Sequence, residues 1–109
     1  MKMPNADRAI VSHDKITGYC LSPNHPRGRH KARVIQAALG LTQKDMMPFK
    51  QLLLAHAQQE ATLLTEDSYG QRYGIDALCQ HGNQAARLRT IWIIRQGESI
   101  PQLVTCYIL

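Results

Sequence analysis

Gln71-Arg-Tyr-Gly-Ile-Asp-Ala-Leu-Cys-Gln-His-Gly-Asn-Gln-Ala-Ala-Arg-Leu-Arg-Thr-Ile-Trp-Ile-Ile-Arg95 is the stretch on which the fold turns. Its first part has period two, with Gln71, Tyr73, Ile75, Ala77 and Cys79 on one face of a strand. His81-Gly82-Asn83 then reads as a hairpin turn, because Gly and Asn adopt positive φ at little cost. The return strand runs from about Gln84 to Arg95. Its alternation places Leu88, Thr90, Trp92 and Ile94 on one face and Arg87, Arg89, Ile91, Ile93 and Arg95 on the other.

Moving outward, Gly97-Glu98-Ser99 with Pro101 makes a second turn, and Leu103 to Leu109 supplies a third β-rich segment. Thr65-Glu66-Asp67-Ser68 marks the boundary upstream. Before it, Phe49, Leu52, Leu53, Ala57 and Ala61 keep a three-and-four spacing that predicts a helix ending near Leu64. Thr42 and Asp45 have a capping-box layout, with Pro48 early in that helix or at a turn. An earlier helix begins at Arg29, carries Ala32, Val34, Ile35, Ala38 and Leu39, and stops at Gly40, a residue suited to a left-handed cap. Ser22-Pro23-Asn24-His25-Pro26 is a rigid corner, and Asp14 to Leu21 has room for two helical turns. Helices first and strands afterwards predict a single α+β domain, residues 1–109, with N-terminal helices packed on a C-terminal antiparallel meander of about three strands.

Charge then points to a site. The nine residues from His25 to Arg33 hold four fixed cations and two histidines, and no acid lies between Asp14 and Asp45. Phosphate is the commonest partner of such a cluster beside a helix start. The whole chain carries 13 Lys+Arg against 8 Asp+Glu, formally +5, a balance that favours polyanions. No run approaches the roughly 18 apolar residues of a membrane span, and the first residues lack a secretory core, so a soluble cytoplasmic protein without membrane partners is expected. Cys20, Cys79 and Cys106 are scattered, which argues against a disulfide framework or structural zinc. Asp76 and Glu98 read as isolated acids, and no phosphate-loop or dinucleotide fingerprint occurs. Neither a metal nor another cofactor is expected, and oligomeric state is open.

A resemblance rests on further residues: Pro4-Asn5-Ala6, Tyr19-Cys20-Leu21, His25-Pro26-Arg27-Gly28-Arg29-His30-Lys31-Ala32-Arg33-Val34, Ala38-Leu39-Gly40, Tyr69-Gly70-Gln71-Arg72-Tyr73, Thr90-Ile91-Trp92-Ile93 and the closing Pro101-Gln102-Leu103-Val104-Thr105-Cys106-Tyr107. Over nearly its whole length the chain resembles a family of small bacterial domains of unknown function. Members of that family stand alone and resemble the C-terminal toxin modules of bacterial polymorphic toxins. Their layout of helices before a meander is similar to ribonucleases of the barnase, EndoU, colicin and RelE type. The resemblance implies RNA cleavage by 2′-hydroxyl attack, and an acidic antitoxin or immunity protein as partner.

Metal-free RNA cleavage needs a proton acceptor for the 2′-hydroxyl, a proton donor for the leaving 5′-oxygen, and cations for the phosphoryl oxygens. His30 is the preferred acid/base, with Lys31 beside it. Thr90, Thr105 and Tyr107 are candidate donors to the scissile phosphate. His25, Arg27, Arg29, Arg33, Arg87, Arg89 and Arg95 are candidate RNA contacts. Thr90 and Arg89 point to opposite faces, so only one set lines the site; the resemblance favours the threonine side and charge the arginine side. The same residues also have ordinary readings. The arginines serve as solvated surface, His25 as a turn residue, the threonines as good strand formers, and Tyr73 and Trp92 as core. His13, His56 and His81 have no evident companion. The competing function is a non-catalytic module that binds nucleic acid or protein through the same cluster.

Overall fold

Three N-terminal helices and a four-stranded antiparallel sheet make up the computed structural model, which describes all residues, Met1–Leu109. A 3₁₀ turn at Ala6–Arg8 precedes α1 (His13–Lys15), which runs directly into a π-helical turn, Ile16–Cys20. The helix α2 (Arg29–Leu39) ends at Gly40, whose φ of 69° gives the left-handed cap that the sequence called for. The Thr42–Asp45 capping box is complete and opens a 3₁₀ turn, Gln43–Asp45, that continues into α3 (Met46–His56). The strands β1 (Thr62–Asp67), β2 (Gly70–His81), β3 (Gln84–Arg95) and β4 (Gln102–Ile108) lie side by side in chain order.

The long hairpin is in the expected register: His81 pairs with Gln84 and Gly70 with Arg95, around Gly82 and Asn83. Gly82 has φ 61°, as a two-residue turn that matches strand twist requires. The sheet has one strand more than expected, and α3 is shorter. Helix α3 stops at His56 because the backbone beyond Gln59 pairs elsewhere: Lys2 bridges Glu60, and Ala61 N–H donates to Met1 O at 2.7 Å. Ala57 and Ala61 are both buried, which mimics continued helical spacing, yet they flank a turn. All six residues of β1 are exposed. An edge strand with neither face covered leaves no alternation to read.

One face of the sheet meets the helices. Tyr73, Ile75, Leu88, Trp92 and Cys106 join Ile16, Ile35, Leu39, Phe49 and Leu53 in a continuous core. Thr90 lies in the same layer with no exposed surface, and its hydroxyl is fully used. Trp92 Nε1–H donates to Thr90 Oγ1 at 2.8 Å, and Thr90 Oγ1 lies 2.9 Å from His56 Nδ1. The other nitrogen of His56 faces two carbonyls, Leu88 O at 2.9 Å and Ala77 O at 3.3 Å, so Nε2 carries the proton and Nδ1 accepts from Thr90. Every buried polar atom in this knot is satisfied.

The other face of β2, β3 and β4 is only partly covered: Asp76, Arg87 and Arg95 are exposed and Arg89, Ile91, Thr105 and Tyr107 half-buried, while Ile93 is buried. A bulge in β4 leaves Val104 between the Leu103↔Trp92 and Thr105↔Ile91 pairs. Below it Thr105 and Tyr107 alternate with buried Cys106, and so share the open face with Arg89 and Ile91.

Candidate nucleic-acid interface

The corner before α2 is built by its own residues. His25 Nδ1 accepts the backbone N–H groups of Arg27 and Gly28, both at 3.0 Å, and so satisfies donors that the helix start leaves free. Gly28 is buried against Tyr19. A Cβ there would sit 2.7 Å from Tyr19 O, so the chain passes only because glycine has none. The ring of Tyr19 in turn meets the His25 imidazole edge-on, with centroids 4.8 Å apart. Much of the His-Pro-Arg-Gly motif therefore serves to seat α2 on the π-helical turn.

From that seat Lys31 leaves α2 toward the sheet. Its ammonium lies 5.0 Å from the Tyr107 ring centroid, 5.9 Å from that of Tyr19, and 3.5 Å from Thr105 Oγ1. A cation between two aromatic faces is attracted to both ring quadrupoles. Arg89 approaches Tyr107 from β3, its guanidinium carbon 5.8 Å from the ring centroid, and Nη1 donates to Tyr107 Oη at 3.2 Å. Asp76 holds Arg89 in place with two parallel hydrogen bonds of 2.7 Å, Nε to Oδ1 and Nη2 to Oδ2. The hydrogen bond from Arg89 keeps the Asp76 carboxyl below the usual carboxylate range, and the same pair holds Arg89 firmly charged. An open concavity of about 500 Å³ spreads over this part of the sheet, with Glu60, Thr62, Asp76, Arg89, Ile91 and Tyr107 among its lining residues.

Cys20 and Cys106 interact as neighbouring buried thiols: the pair lowers the pKa of Cys20, helped by Lys15 and Lys31, and together with burial raises that of Cys106. Both sulfurs are buried and free. Nowhere do three His, Cys, Asp or Glu side chains gather as a group able to hold a metal ion.

The structure divides the expected site residues. Lys31, Thr105, Tyr107 and Arg89 come together. Thr90 does not join them: it sits on the covered face, committed to His56 and Trp92. Alternation along β3 had separated Thr90 from Arg89, and β4 pairing now puts Thr105 and Tyr107 with the arginine. Arg87 and Arg95 belong to the same open side of β3 as Arg89, one residue pair and three residue pairs away, both exposed.

The basic cluster is also split by helical geometry. Arg29 and Arg33, four residues apart, share one side of α2, while Lys31 stands about 200° around the axis from Arg29. Arg33 lines a separate groove with Gln36, Thr42 and Lys44. Arg27 and Arg29 are exposed and form no ion pair. His30 is exposed next to Lys31, and of the five histidines it alone makes no side-chain hydrogen bond. His13 lies 3.3 Å from Lys50 Nζ, His25 caps α2, His56 is in the core, and His81 Nδ1 is 2.8 Å from Leu39 O.

Sequence reading missed Asp76 and Tyr19 as site residues. Both had a signal. Asp76 and Arg89 are equidistant from the Gly82-Asn83 turn, so a two-residue hairpin makes them cross-strand partners. Lys15 and Tyr19 are four apart on one helical turn, and the ammonium lies 5.5 Å from the ring centroid.

Residues 2–109 match the family model described as "Domain of unknown function (DUF6883)". No curated protein matches the chain significantly.

Proposed function

Since the chain belongs to the DUF6883 family, whose description assigns no activity, its chemistry must be argued from the site, and we propose that it is a metal-independent endoribonuclease. The observation that carries this reading is Lys31, whose ammonium α2 brings to Thr105 and the Tyr107 ring on β4, while Arg89 on β3 donates to the Tyr107 hydroxyl. Two fixed cations and two hydroxyls gathered about the Tyr107 ring suit the charge that builds on a phosphoryl group during 2′-hydroxyl attack. Tyr107 Oη accepts from Arg89, which leaves its own O–H free to donate to a phosphate oxygen. Thr105 Oγ1 donates beside it.

We assign proton transfer to His30, the one imidazole with both nitrogens free, exposed and next to Lys31 in sequence, about 100° from it around α2. It takes the 2′-hydroxyl proton as that oxygen bonds to phosphorus. Protonated, it then returns the proton to the 5′-oxygen as the phosphorus–oxygen bond breaks, leaving a 2′,3′-cyclic phosphate. The helix-before-meander order and the resemblance to toxin modules support a cytoplasmic toxin, held inactive by an acidic antitoxin or immunity protein over the open face. No helix is long and apolar enough to cross a membrane.

Purified protein incubated with total RNA in the presence of a chelator tests the proposal. Fragments ending in 2′,3′-cyclic phosphate are expected, with loss of cleavage in His30→Ala and Lys31→Ala. RNA that is bound but stays intact at every protein concentration overturns the enzyme in favour of a binding module.

A further inference from the structure

A second cationic hollow lies on the same side of the molecule, at the opposite end of the sheet. Its volume is about 340 Å³, and Ser12, Lys15, Arg72, Arg95, Gln102 and Val104 are among its lining residues. Three elements converge to make it. Ile10 bridges Gln102 and so brings the chain leading into α1 against β4, which carries Ser12 and Lys15 to the hollow. In the sheet, Arg72, Ile93 and Gln102 stand in one cross-strand row. Arg72 is braced by Asp67 at 3.0 Å, and Asp67 is itself fixed by the N–H groups of Tyr69 and Gly70. Lys15 and Arg95 form no ion pair, and no carboxylate lines the hollow. Glu66, Asp67 and Glu98 lie in a neighbouring depression on the other side of Arg95.

Lys15 joins this hollow to the first site. Its ammonium and that of Lys31 both lie on the Tyr19 ring, at 5.5 Å and 5.9 Å. Along β3, Arg89 and Arg95 are six residues apart, about 20 Å at the rise of an extended strand. A single strand of several nucleotides spans that distance.

We infer that Lys15, Arg72 and Arg95 form a second phosphate subsite, which holds the backbone of a single-stranded polynucleotide several nucleotides from the phosphate bound at Lys31, Arg89 and Tyr107. The inference rests on the RNA reading above and adds a length requirement to it. Short oligonucleotides occupy one end; longer ones occupy both and bind more tightly.

The test measures binding of non-cleavable single-stranded oligonucleotides of two and eight nucleotides by fluorescence anisotropy over a salt series, with the full chain. The wild type should bind the octamer on the order of tenfold or more tightly than the dimer. A Lys15→Gln, Arg95→Gln double variant should lose that length advantage, and its salt slope for the octamer should fall by about 1.4, two cations at about 0.7 each. Arg95→Glu alone, a change at an exposed position with no ion pair, gives a second route to the same loss. An octamer whose affinity and salt slope are unchanged in both variants overturns the subsite while leaving the ribonuclease proposal standing. The converse result, a length advantage lost in the variants although the wild type cleaves no RNA, supports the subsite and removes only the catalysis.

Discussion

Lys31 Nζ and Thr105 Oγ1, 74 residues apart in the chain, stand 3.5 Å from each other on the open side of the sheet. The contact forms where α2, seated by its buried Ile35 and Leu39, meets β4, and it brings an ammonium to the Tyr107 ring. Replacement of Lys31 by alanine should therefore remove RNA cleavage by about two orders of magnitude or more. It should do so with little change in melting temperature, because the pair is partly exposed and a cation–π contact there contributes about 0.5–1 kcal/mol. Parallel rate measurements and thermal melts check this; a large drop in melting temperature would make Lys31 a structural residue.

Arg89→Lys is not a conservative change. Lysine cannot reproduce two parallel bonds to Asp76 together with a third to Tyr107 Oη. Cleavage should fall at least about tenfold in single-turnover assays. Asp76→Asn should give a defect in the same direction by freeing the guanidinium to move. Full activity in both variants would place the reaction away from Tyr107.

Thr90→Val should lower stability by about 1–3 kcal/mol, since it strands the Trp92 N–H and removes the hydroxyl bonded to His56. Its catalytic rate below the melting transition should match the wild type. Denaturant titration beside an activity assay separates the two effects, and selective loss of rate in a stable Thr90→Val protein would reinstate Thr90 in the site.

His56 makes the fold sensitive to acid. Burial lowers its pKa below the ordinary 6.5, outweighing the carbonyls that favour its charged form. The unfolded chain thus binds a proton that the folded chain resists. Stability is complete above about pH 6.5 and declines as pH falls from there toward the folded value. Glu60, Asp67 and Asp76 have lowered values too, so their stabilisation is lost only in more acidic solution, below the usual carboxylate range. Melting temperature measured at pH 7.5 and 5.5 should drop for the wild type and much less for His56→Gln. An equal drop in both would assign the acid sensitivity to other groups.

Gly28→Ala should disturb the corner that seats α2. The new methyl group meets the carbonyl of Tyr19 at 2.7 Å, a backbone atom that cannot rotate away. A cost of about 1–3 kcal/mol is expected, together with weaker RNA binding as Tyr19 and Lys31 shift. Unchanged stability would mean that the π-helical turn gives way freely.

How far the sequence revealed this molecule depends on what each residue pairs with. The hairpin from Gln71 to Arg95 was legible because one face is buried and the turn residues permit one register. Gly40 and the Thr42–Asp45 box announced their helix ends by local chemistry. β1 was hidden because every one of its residues is exposed, and the end of α3 was hidden because Met1 and Lys2, far upstream, supply the competing backbone partners. At the site, composition singled out the cluster from His25 to Arg33, but only helix phase decides that Lys31 faces the sheet while Arg29 and Arg33 do not. Cross-strand register, not residue type, recruits Asp76 and sends Thr90 inward.

The central claim is that RNA lies on the open sheet face at Lys31, Thr105, Tyr107 and Arg89. Amide ¹H–¹⁵N spectra recorded while a 2′-deoxy, non-cleavable oligonucleotide is titrated into the protein test it directly. Shifts concentrated on Lys31, Arg89, Thr105 and Tyr107 are expected, with Arg33 and Lys44 unmoved. Shifts confined to Arg29, Arg33 and Lys44, or no shifts at all, would contradict it.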